Sequence, residues 1–176
     1  MKHEILASEI DLIKNEKIKQ FTINTLNNAP DYFFEAPASS TGKYHPECTC
    51  KKGGLIVHVK RAVFIANRLC EGWAIFDIER DIVLSATILH DIAKTGKGQG
   101  SFDDYNNHPI NANKYFTLLE DENIKGSIRE CVKHHMGRWT PDSVKKEIKK
   151  YSLMELLVYT ADYIAATKTL TTPKDN

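Results

Sequence analysis

The chain has 176 residues, 41% of them hydrophobic and 27% charged, the size and balance of one soluble domain with a real core. Lysine plus arginine number 24 against 23 for aspartate plus glutamate, and the resulting net charge of +1 advertises neither a long nucleic acid nor a membrane surface as partner. No apolar run approaches the ~20 residues of a membrane span, Met1-Lys2-His3-Glu4 does not open like a secretion signal, and Cys48, Cys50, Cys70 and Cys131 lack a framework spacing, so a cytoplasmic protein with reduced thiols is expected.

Residues 1–29 carry an apolar helical period through Leu6, Ile10, Ile13, Ile18 and Phe21, with a break near Asn15 and an end at Ala29-Pro30. Residues 30–54 lack that period. They run from Asp31-Tyr32-Phe33-Phe34-Glu35-Ala36-Pro37 through Tyr44-His45-Pro46 and Cys48-Thr49-Cys50 to Gly53-Gly54, and are expected to lie as a loop over a site. His45 and the two cysteines do not make a structural zinc site, because Cys-x-Cys has no partner pair downstream. A helix is predicted over 55–71, with Val59, Ala62, Val63, Ala66 and Leu69 inward and His58 on a mostly apolar side.

The next helix is predicted over 77–94, with Asp77 as its N-cap. It ends in Ala86-Thr87-Ile88-Leu89-His90-Asp91-Ile92-Ala93-Lys94. The loop Thr95-Gly96-Lys97-Gly98-Gln99-Gly100-Ser101 breaks it and does not have the Gly-x₄-Gly-Lys-Ser/Thr form of a phosphate-binding loop. His108-Pro109 opens a helix predicted to reach 119, with His108 as N-cap. Asp121 caps another over 122–135, which Gly137 stops. A charged, solvent-facing helix is predicted from Thr140-Pro141 through Lys150, and Ser152-Leu153-Met154-Glu155 is a capping box that starts the last helix. The tail from Thr167 is polar and expected to fray. The expectation is an all-α single domain over 1–176: an N-terminal segment over 1–29, a loop over 30–54, a core over 55–168 and a tail over 169–176.

Chemistry concentrates at a few positions of this helical frame. Adjacent helical residues do not share a face, so His90 and Asp91 reach one point only if it lies near the helix axis line or at the helix end. Asp162 lies inside an apolar helix, where an unpaired carboxylate costs several kcal/mol and calls for a partner or a metal. The order His58, His90-Asp91, His108, His134-His135, Asp162 mixes imidazole with carboxylate and includes no thiolate, a donor set suited to iron, manganese, zinc or magnesium-type centres.

This order resembles the HD-domain superfamily of metal-dependent phosphohydrolases. The resemblance runs over about 31–168 and is carried by Gly53-Gly54-Leu55-Ile56-Val57-His58, Ile88-Leu89-His90-Asp91-Ile92-Ala93-Lys94, His108-Pro109, His134-His135-Met136-Gly137 and Tyr159-Thr160-Ala161-Asp162. Ala93 stands where the family often has glycine. The resemblance implies a helical bundle with a metal centre between core helices. His58, His90, Asp91 and Asp162 would hold a first divalent ion. Asp91 would bridge to a second, completed by His108 and by His134 or His135, with the metal being Fe, Mn, Zn, Ni, Co or Mg. His134 is favoured, because His134-x-x-Gly137-Arg138 is similar to the dinuclear HD hydrolases of diadenosine tetraphosphate. The 34–55 stretch is similar to HD-domain 3′-to-5′ exoribonucleases, but the extra nucleic-acid-binding domain of those enzymes is not present in this sequence.

The expected reaction is cleavage of a nucleotide or nucleotide-derived phosphoester by a metal-activated water. Asp91 and Lys94 are the catalytic candidates, Lys94 as donor to the phosphate. Arg61, Arg138, Tyr44 and His45 are candidate substrate contacts. The partner would be a small nucleotide or short oligonucleotide, with no membrane; a homo-oligomer is compatible with the sequence. Two other readings use the same ligands: an HD-fold mixed-valent di-iron oxygenase and a non-catalytic nucleotide sensor. The density of lysine and arginine near the ligands favours hydrolysis.

Overall fold

A computed structural model describes residues 1–39, 42–94 and 106–175, and the described residues contain helices and no strand. A 3₁₀ turn, Lys2–Leu6, leads into α1 (Ala7–Ile10) and then α2 (Glu16–Asn27), whose N-cap Asn15 accepts from the Ile18 N–H at the expected break. The segment over 30–54 is not entirely loop: it holds α3 (Asp31–Glu35) and a 3₁₀ turn, Glu47–Thr49.

Four helices make the core. α4 (Gly54–Gly72) packs on α5 (Asp77–Leu89) and on α8 (Leu153–Ala165), while α7 (Glu122–His134) closes the bundle against α5 and α8. The inward residues are those whose period marked them: Val59, Ala62, Val63 and Ala66 of α4, and Val83, Ala86 and Leu89 of α5, are all fully buried. Gly54 starts α4 where the chain touches itself. A Cβ there would lie 2.1 Å from the Thr49 carbonyl oxygen, so no side chain fits. Asp121 accepts from the Asn123 and Ile124 N–H groups, and Ser152 with Glu155 forms a complete capping box.

Several local expectations fail. Asp77 does not cap α5: it is the first helical residue, at a left-handed φ of 55°, and Phe76 holds the cap position. The helix opened by Pro109 is short, α6 (His108–Asn111), with Asn107 at its cap, and it passes into a 3₁₀ turn, Ala112–Lys114. No helix spans 140–150. Pro141, Lys145 and Glu147 are extended there, and two 3₁₀ turns, Asp142–Val144 and Ile148–Lys150, contain no buried residue. With no apolar stripe to bury, that segment gains nothing from a continuous helix. The tail is anchored rather than frayed: Thr172 is 5% exposed, Asp175 pairs with Arg61, and Lys174 pairs with buried Glu9 at 2.8 Å. The glycine-rich loop over 95–101 lies outside the described residues.

The four cysteines are free thiols. Among the described residues no helix is long and apolar enough to cross a membrane.

Candidate metal centre

Helix α5 ends at Leu89, with His90 at its C-cap, and the chain continues in tight turns in which Ile92 N bonds Leu89 O and Lys94 N bonds Asp91 O. The adjacent pair therefore leaves the helical face rule behind and converges. His90 Nε2 lies 3.4 Å from Asp91 Oδ2. α4 adds His58, whose Nε2 is 3.3 Å from His90 Nε2. α8 adds Asp162, whose Oδ1 is 2.9 Å from His58 Nε2 and 3.5 Å from His90 Nε2. These four residues form a first cluster, with Asp91 Oδ2 also 3.8 Å from His58 Nε2.

Asp91 turns its other oxygen to a second cluster. Oδ1 lies 2.9 Å from His108 Nε2 and 3.5 Å from His135 Nε2, and those two nitrogens are 3.1 Å apart. The His90 and His135 rings stand edge to face, 4.9 Å between centroids, so the clusters abut. The imidazoles are fully buried, at 0% exposure for His58 and His90 and 1% for His108 and His135.

The orientation of the rings matters as much as their position. His90 Nδ1 donates to Thr87 O at 2.6 Å and His135 Nδ1 donates to Val132 O at 2.7 Å. Each carbonyl is three residues back at the end of the same helix, and each bond holds its ring with Nε2 facing the cluster, so that Nε2 carries the lone pair whenever the ring is neutral.

These donors fit divalent metal. Ligand atoms bound about 2.0–2.2 Å from one ion lie about 3–3.6 Å from each other, and the separations within the clusters fall near that spacing except for Asp91 Oδ2 to His58 Nε2, at 3.8 Å. Asp91 Oδ1 is buried without a well-directed hydrogen bond, an orphan that a cation would satisfy. Within the first cluster His58, His90 and Asp162 lie close enough together that they could hold one metal ion, and so do His90, Asp91 and His135.

The charges respond to this crowding. Burial alone would raise the Asp91 carboxyl, but Lys94, His90, His108 and His135 outweigh it and hold the group well below the ordinary carboxylate range. Burial likewise opposes Asp162, and the hydrogen bonds from His58 and His90 win, again holding it low. Burial pushes His58 and His108 down. It also opposes protonation of His90, but Asp91 and Asp162 overcome it and raise that ring to about 10.

The two histidines of the 134–135 pair separate completely. His134 points away from the centre: its Nδ1 meets Glu155 Oε1 at 2.6 Å, and its Nε2 donates to Val144 O at 3.1 Å. Glu155 is held further by Lys146, at 3.0 and 2.8 Å, and by Ser152 N, at 2.6 Å. The preference for His134 as ligand is therefore corrected, because the helix turns His135 inward and His134 toward α8. Glu155 was legible only as a capping-box residue.

Around the clusters, Lys94 Nζ sits 2.9 Å from Asp91 Oδ2. The His45 ring lies 5.4 Å from the His58 ring, and burial, then His58, push its pKa down to about 3, leaving it neutral. Tyr44 is 67% exposed and Arg138 is exposed in the 3₁₀ turn after α7. Arg61 is corrected as a substrate contact: it is 0% exposed and its guanidinium is bonded inward, to the end of α8 and the tail.

No curated protein and no solved structure matches the chain. The profile of the HD domain matches residues 55–167, a segment that contains every residue of both clusters. Proteins of that family are in general metal-dependent phosphohydrolases. Since the match covers more than half of its length, the chain belongs to the HD-domain family.

Proposed function

We propose that this protein is a dinuclear metal-dependent phosphohydrolase acting on a nucleotide or a nucleotide-derived phosphoester. The observation that carries the dinuclear reading is the division of Asp91, with Oδ2 toward His58 and His90 and Oδ1 toward His108 and His135. His58, His90, Asp91 and Asp162 would hold one ion, and Asp91, His108 and His135 the other. Bound there, two divalent ions supply an activated water and polarise the phosphoryl oxygens.

The chain's own groups do the rest. Lys94, 11% exposed at its side chain, keeps an ammonium at the rim of the cluster, where it meets charge developing on a non-bridging phosphate oxygen. Neutral His45 stands against His58 from the loop side and offers a ring nitrogen to the substrate. Tyr44 and Arg138 remain as exposed groups for the part of the substrate beyond the phosphate.

The test is metal analysis with a screen of nucleotides, dinucleotides, cyclic dinucleotides and short oligonucleotides against protein loaded with Mn, Fe, Co, Ni, Zn or Mg. Product release that Asp91→Ala abolishes is the expected result. Metal-replete protein that is inert on every phosphoester, yet consumes oxygen with ferrous iron and an organic substrate, would sink the proposal. Tight nucleotide binding without turnover would identify a sensor instead.

A further inference from the structure

Among the described residues Arg61 is the largest of the fully buried side chains. A buried guanidinium is costly unless its N–H donors find acceptors. Arg61 Nε donates to Ala165 O at 3.1 Å, and Nη2 donates to Leu170 O at 2.9 Å and to Thr167 O at 3.4 Å. Nη1 donates to the Asp175 carboxylate. Ala165 is the last residue of α8, so its carbonyl is one of those the helix leaves without an internal partner. Arg61 thus caps α8 from another helix, with a cation at the negative end of its dipole.

Asp175 is fixed in turn. Its Oδ2 accepts from Thr172 N at 3.0 Å and its Oδ1 from Thr172 Oγ1 at 2.8 Å.

The placement of this latch gives it a consequence for the metal centre. Arg61 follows His58 by three residues on α4, and Ala165 follows Asp162 by three residues on α8. The two helices are therefore tied twice on facing turns, once by His58 to Asp162 at 2.9 Å and once by Arg61 to Ala165. A one-residue slip of α8 would move Asp162 by about 1.5 Å along the axis and turn it by about 100°, which takes the carboxylate away from both imidazoles.

We propose that Arg61 and Asp175 are positioning residues for the first metal cluster: the latch sets the register of α8 on α4 and so delivers Asp162 to His58 and His90. The inference rests on the reading that this cluster binds metal. The latch touches no substrate. None of its bonds engages α5, α6 or α7, which carry the second cluster, so its loss should be felt at one ion and not the other.

The test uses the full chain: wild type, Asp175→Asn, Arg61→Lys, Arg61→Met and Asp162→Ala, each stripped of metal and titrated with cobalt(II) by calorimetry and visible absorption. Wild type is expected to take two ions and Asp162→Ala to lose the first. Asp175→Asn and Arg61→Met should weaken the first ion by about 10- to 100-fold, the range for groups that orient ligands, with the second ion unchanged. Arg61→Lys should fall between, since it keeps the charge but not the fork. A general loss of stability would weaken both ions together, so the site-resolved affinity separates positioning from mere folding. If Arg61→Met does not fold, Asp175→Asn decides, because that side chain is 19% exposed and its change is isosteric. A first ion lost in Asp162→Ala but bound as in wild type by Asp175→Asn overturns the inference alone. Wild type without metal, or Asp162→Ala with both ions, overturns the metal reading and this inference with it.

Discussion

Neighbouring histidines should have opposite phenotypes. His134→Ala deletes a buried ring that is bonded to Glu155 at 2.6 Å and to Val144 O at 3.1 Å. Removing one partner of a buried hydrogen bond to a charged group costs about 1.5–3 kcal/mol. Glu155 keeps Lys146 at 2.8 Å, and the deleted ring also leaves a cavity, so the expected loss is about 2–3 kcal/mol. At about 2–4 °C per kcal/mol for a domain of this size, the Tm of the metal-free protein should fall by about 4–12 °C, while two ions still bind. His135→Ala deletes a ring whose Nε2 faces Asp91 Oδ1 at 3.5 Å and His108 Nε2 at 3.1 Å. It should lose the second ion and destabilise the metal-free protein less than His134→Ala does. Calorimetric melting of metal-free protein and a metal titration well below the Tm read the two effects separately. The reasoning is refuted if His134→Ala loses an ion with its Tm unchanged, or if His135→Ala binds two.

Three further outcomes follow from local structure. Gly54→Ala places a Cβ 2.1 Å from Thr49 O and 2.4 Å from Thr49 C; the obstacle is backbone, so urea unfolding should show a loss of about 1–3 kcal/mol. At Glu155 burial raises the carboxyl, but Lys146, Ser152 and His134 outweigh it and hold the pKa below 4.5. Its stabilising contribution is then complete above pH 4.5 and is lost as pH falls through the lower folded value, so the stability gap between wild type and Glu155→Gln should shrink on acidification below that pH. Burial pushes the Cys70 thiol up to about 11 and Cys131 upward as well; a thiol reagent at mildly alkaline pH should therefore modify Cys48 and Cys50 in the native protein and reach the other two only in denaturant.

What the sequence made legible was what local periodicity and burial cost determine. His58 among apolar residues of α4, Asp162 inside α8 and the Ser152 capping box could each be placed from neighbours within one or two turns, and each stands where it was expected. The choice within the 134–135 pair was legible too, in a signal that motif similarity masked. Ile124, Ile128 and Cys131 run at steps of four and three, and the next step of four is His135. His134 is one residue, about 100°, off that stripe. Arg61 was misread for a different reason. Its three backbone acceptors and Asp175 are 104 to 114 residues away in sequence, and no local pattern reports such partners. The same bonds explain why a polar tail, ordinarily a sign of fraying, is held in place. The charged stretch over 140–150 erred the other way: its i,i+3 pairs, Asp142 with Lys145 and Glu147 with Lys150, serve single 3₁₀ turns as well as they would serve a helix.

The His90-Asp91 pair shows how a helix end can do what a helix interior cannot. Within α5 the two side chains would diverge by about 100°. At the C-terminus the chain tightens to bonds from Ile92 N to Leu89 O and from Lys94 N to Asp91 O, and the rotation per residue is no longer that of the helix. His90 keeps the helical geometry of its own backbone and takes the Thr87 carbonyl for its Nδ1. Asp91 follows just beyond the helix, and the side chains of the two clusters reach it from α4, α6 and α8 and from the end of α7. A carboxylate with two oxygens, set at that junction, can face two imidazole pairs at once. The adjacency that looked improbable for a helical site is thus what allows one residue to belong to both clusters, and the i+3 turn that follows brings Lys94 back onto the same oxygen that faces His58 and His90.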